Sequence, residues 1–290
     1  MAKEIPLIVI CGQTASGKTS LAIELAQAYG GEIICADSRT IYKGMDIGTA
    51  KPTIEERKRV KHWGLDLVKP GEYFTVVDFK KYADEKIKEI RSRGNVPFLV
   101  GGTGLYIDAI VFDYKFGKEV DVDKRTSLNN MSLDELHEYC KQKSIQLPEN
   151  LKNKRYVIRQ IEKNGEFVSK RESPIENTII VGITTDKEVL IDRMQQRIEY
   201  MLNNGVIEEA ESLGNKFGWD NEALKSNVYK IVKLYNSGHI SKDDIKQQNL
   251  VLDWRLAKRQ LTWFKRDSYI KWLNYEDARL YLSTLLAKLA

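Results

Sequence analysis

The chain has 290 residues, enough for one large domain or two smaller ones. Its 42% hydrophobic content supplies a folded core, and 30% charged residues with a mean hydropathy of −0.43 fit a soluble, helix-rich protein. A net charge of +5 permits a polyanionic partner without requiring one.

The longest apolar runs, Pro6 to Cys11 and Pro97 to Val100, have strand length and fall far short of a membrane span. A strand begins almost at the N-terminus, which leaves no room for a signal peptide. The expected location is therefore cytoplasmic, with no membrane partner. Cys11, Cys35 and Cys140 form no C-x-x-C pair, and their odd count argues against a disulfide framework. His62, His137 and His239 lie far apart without Cys or His at ligand spacing. That spacing argues against a zinc site, and any metal is expected to be Mg²⁺ held by oxygens and phosphates.

Taken in order, Leu7–Cys11 predicts a strand, Lys18–Tyr29 a helix and Glu32–Ala36 a second strand. Between the first two stands Gly12-Gln13-Thr14-Ala15-Ser16-Gly17-Lys18-Thr19, which is G-x-x-x-x-G-K-[ST] without a mismatch. Strand, loop and helix are the context this motif needs. Its glycines let successive N–H groups point inward at an anion, and the helix N-terminus adds partial positive charge. Lys18 supplies a point charge and the Thr19 hydroxyl can ligand Mg²⁺, so the loop binds a di- or triphosphate group. Taken alone, it suggests ATP or GTP.

A loop with short turns follows the second strand. Val76–Arg93 predicts a helix with Thr75 as N-cap, Gly94 past its end, and Phe79, Ala83, Ile87 and Ile90 along one face. Val96–Val100 is a third strand, closed by Gly101-Gly102-Thr103-Gly104. From Phe116 to about Pro174 apolar residues thin out. Two helices are expected there, Leu133–Lys143 with a Ser132/Glu135 capping box and the basic Lys152–Lys163. Thr178–Ile183 returns to strand texture. Beyond it the chain reads as nearly all helical, with faces at Leu190, Met194, Ile198, Met201 and Leu202, then Val206, Ala210 and Leu213. Leu250–Phe264 carries Leu250, Trp254, Leu261 and Phe264 on one side, and Ala278–Leu289 closes the chain.

Strand–helix alternation with near-continuous apolar strands means an α/β fold: a P-loop NTPase-like parallel sheet flanked by helices, with a small helical insertion domain. The expected organisation is residues 1–115 as the first part of the core, 116–175 as the insertion and 176–290 as the core continued. Ligands of such sheets sit at the carboxyl ends of the strands, which picks out Gly12–Thr19, Asp37–Thr49 and Gly101–Tyr106.

Within those loops, Asp37 can act as a general base or Mg²⁺ ligand, or simply cap a turn. The Thr103 hydroxyl can donate to a phosphate oxygen, while its glycines equally suit a tight strand-to-helix turn. Arg193 and Arg197, spaced i, i+4, share a helix face; it is either a pyrophosphate clamp or a solvated charged face. The basic helix Lys152–Lys163 and the cluster from Lys258 to Lys271 interleave cations with Tyr156, Trp263, Phe264, Tyr269 and Trp272. That mixture suits nucleic acid, or amphipathic helices whose aromatics are core.

Asp37-Ser38 followed by Ile41-Tyr42-Lys43-Gly44-Met45-Asp46-Ile47-Gly48-Thr49-Ala50-Lys51-Pro52 resembles the signature of the tRNA dimethylallyltransferase (tRNA isopentenyltransferase) family. So do the phosphate loop, the stretch His62 to Phe79 with Asp66 and Asp78, and Val100-Gly101-Gly102-Thr103-Gly104-Leu105-Tyr106. The spacing from Arg193 through Arg197 to Met201 and the run Leu256-Ala257-Lys258-Arg259-Gln260-Leu261-Thr262-Trp263 also match. The resemblance covers most of the chain outside the insertion.

It implies transfer of a dimethylallyl group from dimethylallyl diphosphate to N6 of the adenosine just 3′ of the anticodon. By the same resemblance Asp37 is the general base and Thr103 contacts the leaving oxygen. Gly12, Thr14, Ala15, Ser16, Gly17, Lys18, Thr19 and Arg197 hold the diphosphate, with Mg²⁺ on Thr19. Asp37, Ser38, Arg39, Thr40 and Thr103 touch the target nucleotide, while Arg125, Arg155 and Arg159 lie along the tRNA path. The implied partners are the tRNA anticodon stem-loop and dimethylallyl diphosphate, acted on by a monomer. The chain departs from the family at Thr40, usually Gln. It departs again at Lys154 to Arg159, usually a double-arginine helix, and at Ser226-Asn227-Val228-Tyr229-Lys230, where a Gly-Tyr-Arg stretch lacks its Gly and Arg. These changes spare the catalytic residues and fall on the tRNA side. The rival readings are an adenylate isopentenyltransferase acting on AMP or ADP, and a P-loop small-molecule kinase.

Overall fold

A computed structural model describes residues 5–116, 122–163 and 169–288. It divides into two units, Met1–Phe112 with Ser173–Ala290, and Asp113–Glu172.

The first unit is built on β1 (Leu7–Gly12), β2 (Gly31–Ala36), β3 (His62–Trp63), β4 (Val96–Gly101), β5 (Thr178–Ile183) and β6 (Lys271–Leu273). They form one sheet in the order β3-β2-β4-β1-β5-β6, parallel throughout. β1, β2, β4 and β5 read as continuous apolar runs because both sheet faces are covered. On one face α1 (Lys18–Ala28) and α12 (Tyr275–Leu286) bury Leu21, Leu25, Leu282 and Leu286 against Ile8, Ile10, Ile33 and Phe98. On the other lie α3 (Val76–Ser92), α4 (Gly104–Val111) and α11 (Lys242–Phe264). There Phe79 stacks on Tyr106 with ring centroids 4.1 Å apart. Thr75 and Asp78 cap α3 reciprocally, and Gly94 follows it with a left-handed φ of 78°, the stop its position predicts.

A second core joins residues 41–45 to α8 (Lys187–Asn203), α9 (Val206–Phe217) and α10 (Asn227–Asn236) through Ile41, Met45, Met201, Leu213 and Tyr229. Between β2 and β3 sits α2 (Ile54–Arg59), opened by a Thr53/Glu56 capping box. The second unit contains α5 (Val122–Asn130), α6 (Leu133–Gln142) and α7 (Lys154–Lys163), with Leu128, Leu136, Cys140, Val157 and Ile161 as its own core. The Ser132/Glu135 capping box is present. Leu289, the last residue expected in the closing helix, lies outside the described residues.

Six elements correct the sequence reading; α2 lies where a loop with short turns was expected, and α5 is a third helix where two were expected. β3 and β6 are edge strands of two and three residues, too short to show a period. The stretch from Gly104 is helical rather than loop; its Tyr106, Ile107, Ala109 and Ile110 are all buried, so no polar face marks it. α11 begins at Lys242, eight residues before the expected Leu250, under a Ser241/Asp244 capping box. The three cysteines are buried and free. Among the described residues no helix is long and apolar enough to cross a membrane.

Candidate active site

The sheet register assembles the site. Cys11 of β1 pairs with Gly101 of β4, and Gly101 pairs with Ala36 of β2. The next residues out, Gly12, Gly102 and Asp37, leave three neighbouring strands at one level, on the carboxyl edge where open α/β sheets bind ligands.

In the phosphate loop Gly12 has φ 135°, and a Cβ there would lie 3.1 Å from the Ile183 carbonyl oxygen. Gly17, at φ 92°, is the N-cap of α1 and leaves that helix's first amides without a side-chain cap. Such amides at a helix N-terminus suit an anion. The buried Lys18 ammonium donates to the Gln13 carbonyl and to Ser16 Oγ at 3.4 Å. Burial pushes its pKa down to about 8; Cys11 and Asp37 oppose the shift and Arg197 adds to it. An ordinary lysine stays charged until about pH 10.4. Pyrophosphate affinity, measured by calorimetry, is therefore expected to fall as pH rises through about 8. Lys18→Arg removes that dependence, because a guanidinium keeps its proton. Parallel pH profiles for the two proteins would refute the assignment.

The arginines of α8 do face the loop. Arg197 Nη1 donates to Thr14 Oγ1 at 2.7 Å, and Arg193 Nη1 to the Ala15 carbonyl at 3.3 Å. Both side chains thus touch the phosphate loop, Arg197 half-buried and Arg193 exposed. The second arm of Arg197 pairs with Asp253 Oδ2 at 2.6 Å.

Asp37 is half-buried, and its Oδ1 accepts the Arg39 amide at 2.7 Å. Thr103 is the N-cap of α4, yet its hydroxyl does not cap that helix. Oγ1 instead accepts the Ser38 amide at 3.0 Å, which ties the β4 loop to the turn carrying Asp37. Gln260 bridges the other pair of loops: its Oε1 accepts the Thr14 amide at 2.7 Å and its Nε2 donates to the Gly102 carbonyl at 3.1 Å. One turn further along α11, Trp263 donates to Asp108 at 2.9 Å and packs where a Cβ on Gly104 would lie 2.1 Å from the indole.

The 41–52 block is held by two side chains, the buried Lys51 and the half-buried Glu209. The Lys51 ammonium donates to the Tyr42 carbonyl at 2.6 Å, Asp46 at 2.7 Å and Asp66 at 2.6 Å. From α9, Glu209 accepts the amides of Asp46, Ile47 and Gly48 at 2.8–2.9 Å and the Tyr229 hydroxyl at 2.6 Å. Burial raises the Tyr229 pKa, so the hydroxyl stays a donor to that carboxylate.

Two cavities result, of about 230 Å³ around the phosphate loop and about 460 Å³ beside it. Thr14, Asp37, Thr49, Gly102, Arg197 and Gln260 line both. The structure thus brings Gly12, the residues from Thr14 to Thr19, Asp37, Thr103 and Arg197 to one crevice. Ser38 lines the larger cavity and Thr40 the smaller, where Thr40 Oγ1 turns back to the Asp37 carbonyl at 3.4 Å. Arg39 also lines the larger cavity, but its guanidinium is committed to the Glu222 and Ala223 carbonyls. In the second unit Arg155 is exposed, whereas Arg125 and Arg159 both lie against the buried Glu162 carboxylate, at 3.3 and 3.6 Å. Among the described residues no cluster of three or more His, Cys, Asp or Glu could hold a metal.

Sequence reasoning missed Gln260, Asn249 and Asp253 as site residues. It placed Leu250, Trp254, Leu261 and Phe264 on one side of α11; Phe264 is buried, but the other three are only half-buried. The buried line is Ile245, Asn249, Asp253, Ala257 and Phe264. Its polar members face the crevice, so apolar periodicity alone points to the wrong face. The Ser241 capping box, by fixing where the helix starts, was the available signal.

The model of the IPP transferase family matches residues 40–267. A tRNA dimethylallyltransferase of Bacillus cereus is 38% identical over 284 residues, covering 93% of this chain and 90% of that protein. The crystal structure of a full-length tRNA isopentenylpyrophosphate transferase from Bacillus halodurans superposes with a TM-score of 0.74 at 34% identity, covering 99% of this chain and 98% of that one. A tRNA isopentenylpyrophosphate transferase from Staphylococcus epidermidis gives 0.72 at 33% identity, covering 98% and 99%.

Proposed function

The chain belongs to the IPP transferase family, and from that premise we propose that it transfers the dimethylallyl group of dimethylallyl diphosphate to N6 of the adenosine 3′ of the anticodon in tRNA. The observation that carries this reading is the convergence of a phosphate loop, a carboxylate and a hydroxyl on one crevice, with Asp37 and Thr103 tied through Ser38.

The adenine amine is a poor nucleophile, so its proton must leave as it attacks. N6 attacks the allylic C1, the C1–O bond breaks, and its electron pair departs on the diphosphate. Asp37 takes the N6 proton. Lys18, Arg197 and the amides at the start of α1 stabilise the charge growing on the leaving oxygens. The Thr103 hydroxyl, already ordered, contacts the leaving oxygen. Thr19, which lines the smaller cavity, would hold Mg²⁺ through its hydroxyl together with oxygens of the diphosphate, the hard donors that ion takes. Bound there, Mg²⁺ would supply positive charge against the leaving diphosphate. The target base must be flipped into the crevice, which costs less from an anticodon loop than from a duplex.

Labelled dimethylallyl diphosphate, incubated with bulk tRNA, AMP or ATP, tests this reading. Label is expected in tRNA. Label in AMP alone would replace it with the adenylate isopentenyltransferase, and ATP turnover without transfer would replace it with the kinase.

Two glycine substitutions probe the supports of the crevice. At Gly102 an added Cβ would meet Gln260 Nε2 at 2.2 Å, the far end of a flexible side chain that can move aside. Gly102→Ala is expected to cost roughly ten- to hundredfold in transfer, by loosening the Thr14–Gln260–Gly102 bridge, with little change in Tm. At Gly104 the obstacle is a packed indole, so Gly104→Ala is expected to lower stability by about 1–3 kcal/mol. Thermal melts beside transfer rates check the contrast.

A further inference from the structure

Asp253 is 5% exposed on α11 and both of its oxygens are occupied. Oδ2 accepts from Arg197 Nη2 at 2.6 Å and from Asn249 Nδ2 at 3.1 Å, and Oδ1 accepts from Asn227 Nδ2 at 2.8 Å. α8, α10 and α11 therefore meet at one carboxylate. The other arm of the same guanidinium reaches Thr14 in the phosphate loop at 2.7 Å. The chain of contacts runs from Asn227 and Asn249 through Asp253 and Arg197 to the loop.

We propose that Asp253 is a positioning residue for the prenyl diphosphate: acting through Arg197, it holds the guanidinium fork against the phosphate loop, while Asn227 and Asn249 fix the carboxylate. This inference rests on the transferase reading of the site.

An arginine is long and rotamer-rich, and unless something else orders it, the cost of ordering falls on ligand binding. Asp253 removes that cost in advance. A fork held by one arm presents its face and remaining donor in a fixed direction, which is what recognition of a diphosphate requires. Finally, Asp253 balances the Arg197 charge, so two bare cations do not face each other across the loop; Arg197 already disfavours the charged form of Lys18. The segment Ser226 to Lys230, which departs from its family's Gly-Tyr-Arg stretch, supplies Asn227 to this network.

A double-mutant cycle tests the proposal. Arg197→Ala, Asp253→Ala and the double variant are compared with the unaltered chain for transfer to tRNA and, by calorimetry, for pyrophosphate binding. Asp253→Ala is expected to lower kcat/KM for dimethylallyl diphosphate by roughly 10- to 100-fold, mostly through KM. KM for tRNA is expected to stay within about twofold. In the Arg197→Ala background the second substitution is expected to add nothing, since Asp253 acts only through that arginine. Asp253→Asn, of the same shape, keeps the packing if the alanine variant fails to fold, and is expected to weaken pyrophosphate binding in the same direction. Additive effects in the cycle would overturn the proposal, as would an unchanged donor KM beside a lowered kcat or a raised tRNA KM. If the unaltered chain transfers nothing to tRNA, the transferase reading fails instead, and the pyrophosphate arm of the cycle still decides whether Asp253 works through Arg197.

Discussion

Asp37→Ala is expected to lower transfer to tRNA by about 10³-fold, within the range a positioned general base contributes, while tRNA binding changes little. The carboxylate leaves the end of β2 at the level of the phosphate loop and is ordered by the Arg39 amide, with Thr103 anchored one residue away on Ser38. Truncation removes the proton acceptor without touching the sheet or the loop. Asp37→Asn keeps the hydrogen bond to Arg39 and removes only basicity, so it is expected to be nearly as inactive. A secondary effect follows from charge. Asp37 favours the protonated form of Lys18, so its loss lets Lys18 lose its proton at a lower pH. Donor affinity in the variants is then expected to weaken between neutral pH and about 8, and the comparison of turnover belongs at pH 7 or below. Single-turnover rates with pre-bound tRNA separate the two effects. A variant that turns over pre-bound tRNA normally and has lost only binding would remove Asp37 from the base role.

Lys51→Met is expected to cost about 2–4 kcal/mol of stability, a fall in Tm of about 3–7 °C for a chain of this size. The ammonium is 1% exposed and donates to a backbone carbonyl and to two carboxylates. Removing it leaves the Tyr42 carbonyl without that donor and brings Asp46 and Asp66 together uncompensated. The loss stays below that of a fully buried pair because Asp46 and Asp66 are 56% and 36% exposed and can recover water. Arg57, 3.2 Å from Asp66, absorbs part of the charge as well. Activity is expected to fall further than stability, because Gly48, Thr49, Ala50 and Pro52 are cavity walls held in place by this lysine and by Glu209. Thermal denaturation followed by transfer assays well below Tm measures both. A stable and fully active Lys51→Met protein would show that the block is held by its apolar packing alone.

These expectations draw on residues of differing legibility. Asp37, Thr103 and Lys18 follow strands whose apolar runs stand out, so their place at the carboxyl edge could be derived before any coordinate was known. Lys51 stood in plain view inside a recognised block, yet nothing local says that an isolated lysine is buried; its partners lie 9, 5 and 15 residues away. Glu209 and Asp253 are harder still, since each meets its partners across gaps set by how helices cross. The edge strands β3 and β6 were hidden for another reason: pairing with a neighbour, rather than a pattern of their own, makes those two- and three-residue segments strands.

Strand and helix periods, capping residues and the phosphate-loop motif are local in sequence, and local rules were enough to determine the α/β class, the parallel sheet and the three loops at its edge. Tertiary structure alone decided which face of α11 is buried, that Arg197 and Arg193 reach Thr14 and Ala15, and that Gln260 and Asp253 complete the crevice. A hydrogen bond between residues 56 or 246 positions apart leaves no period in the chain. It exists only once the sheet register and the helix crossings have brought its two ends within 3 Å.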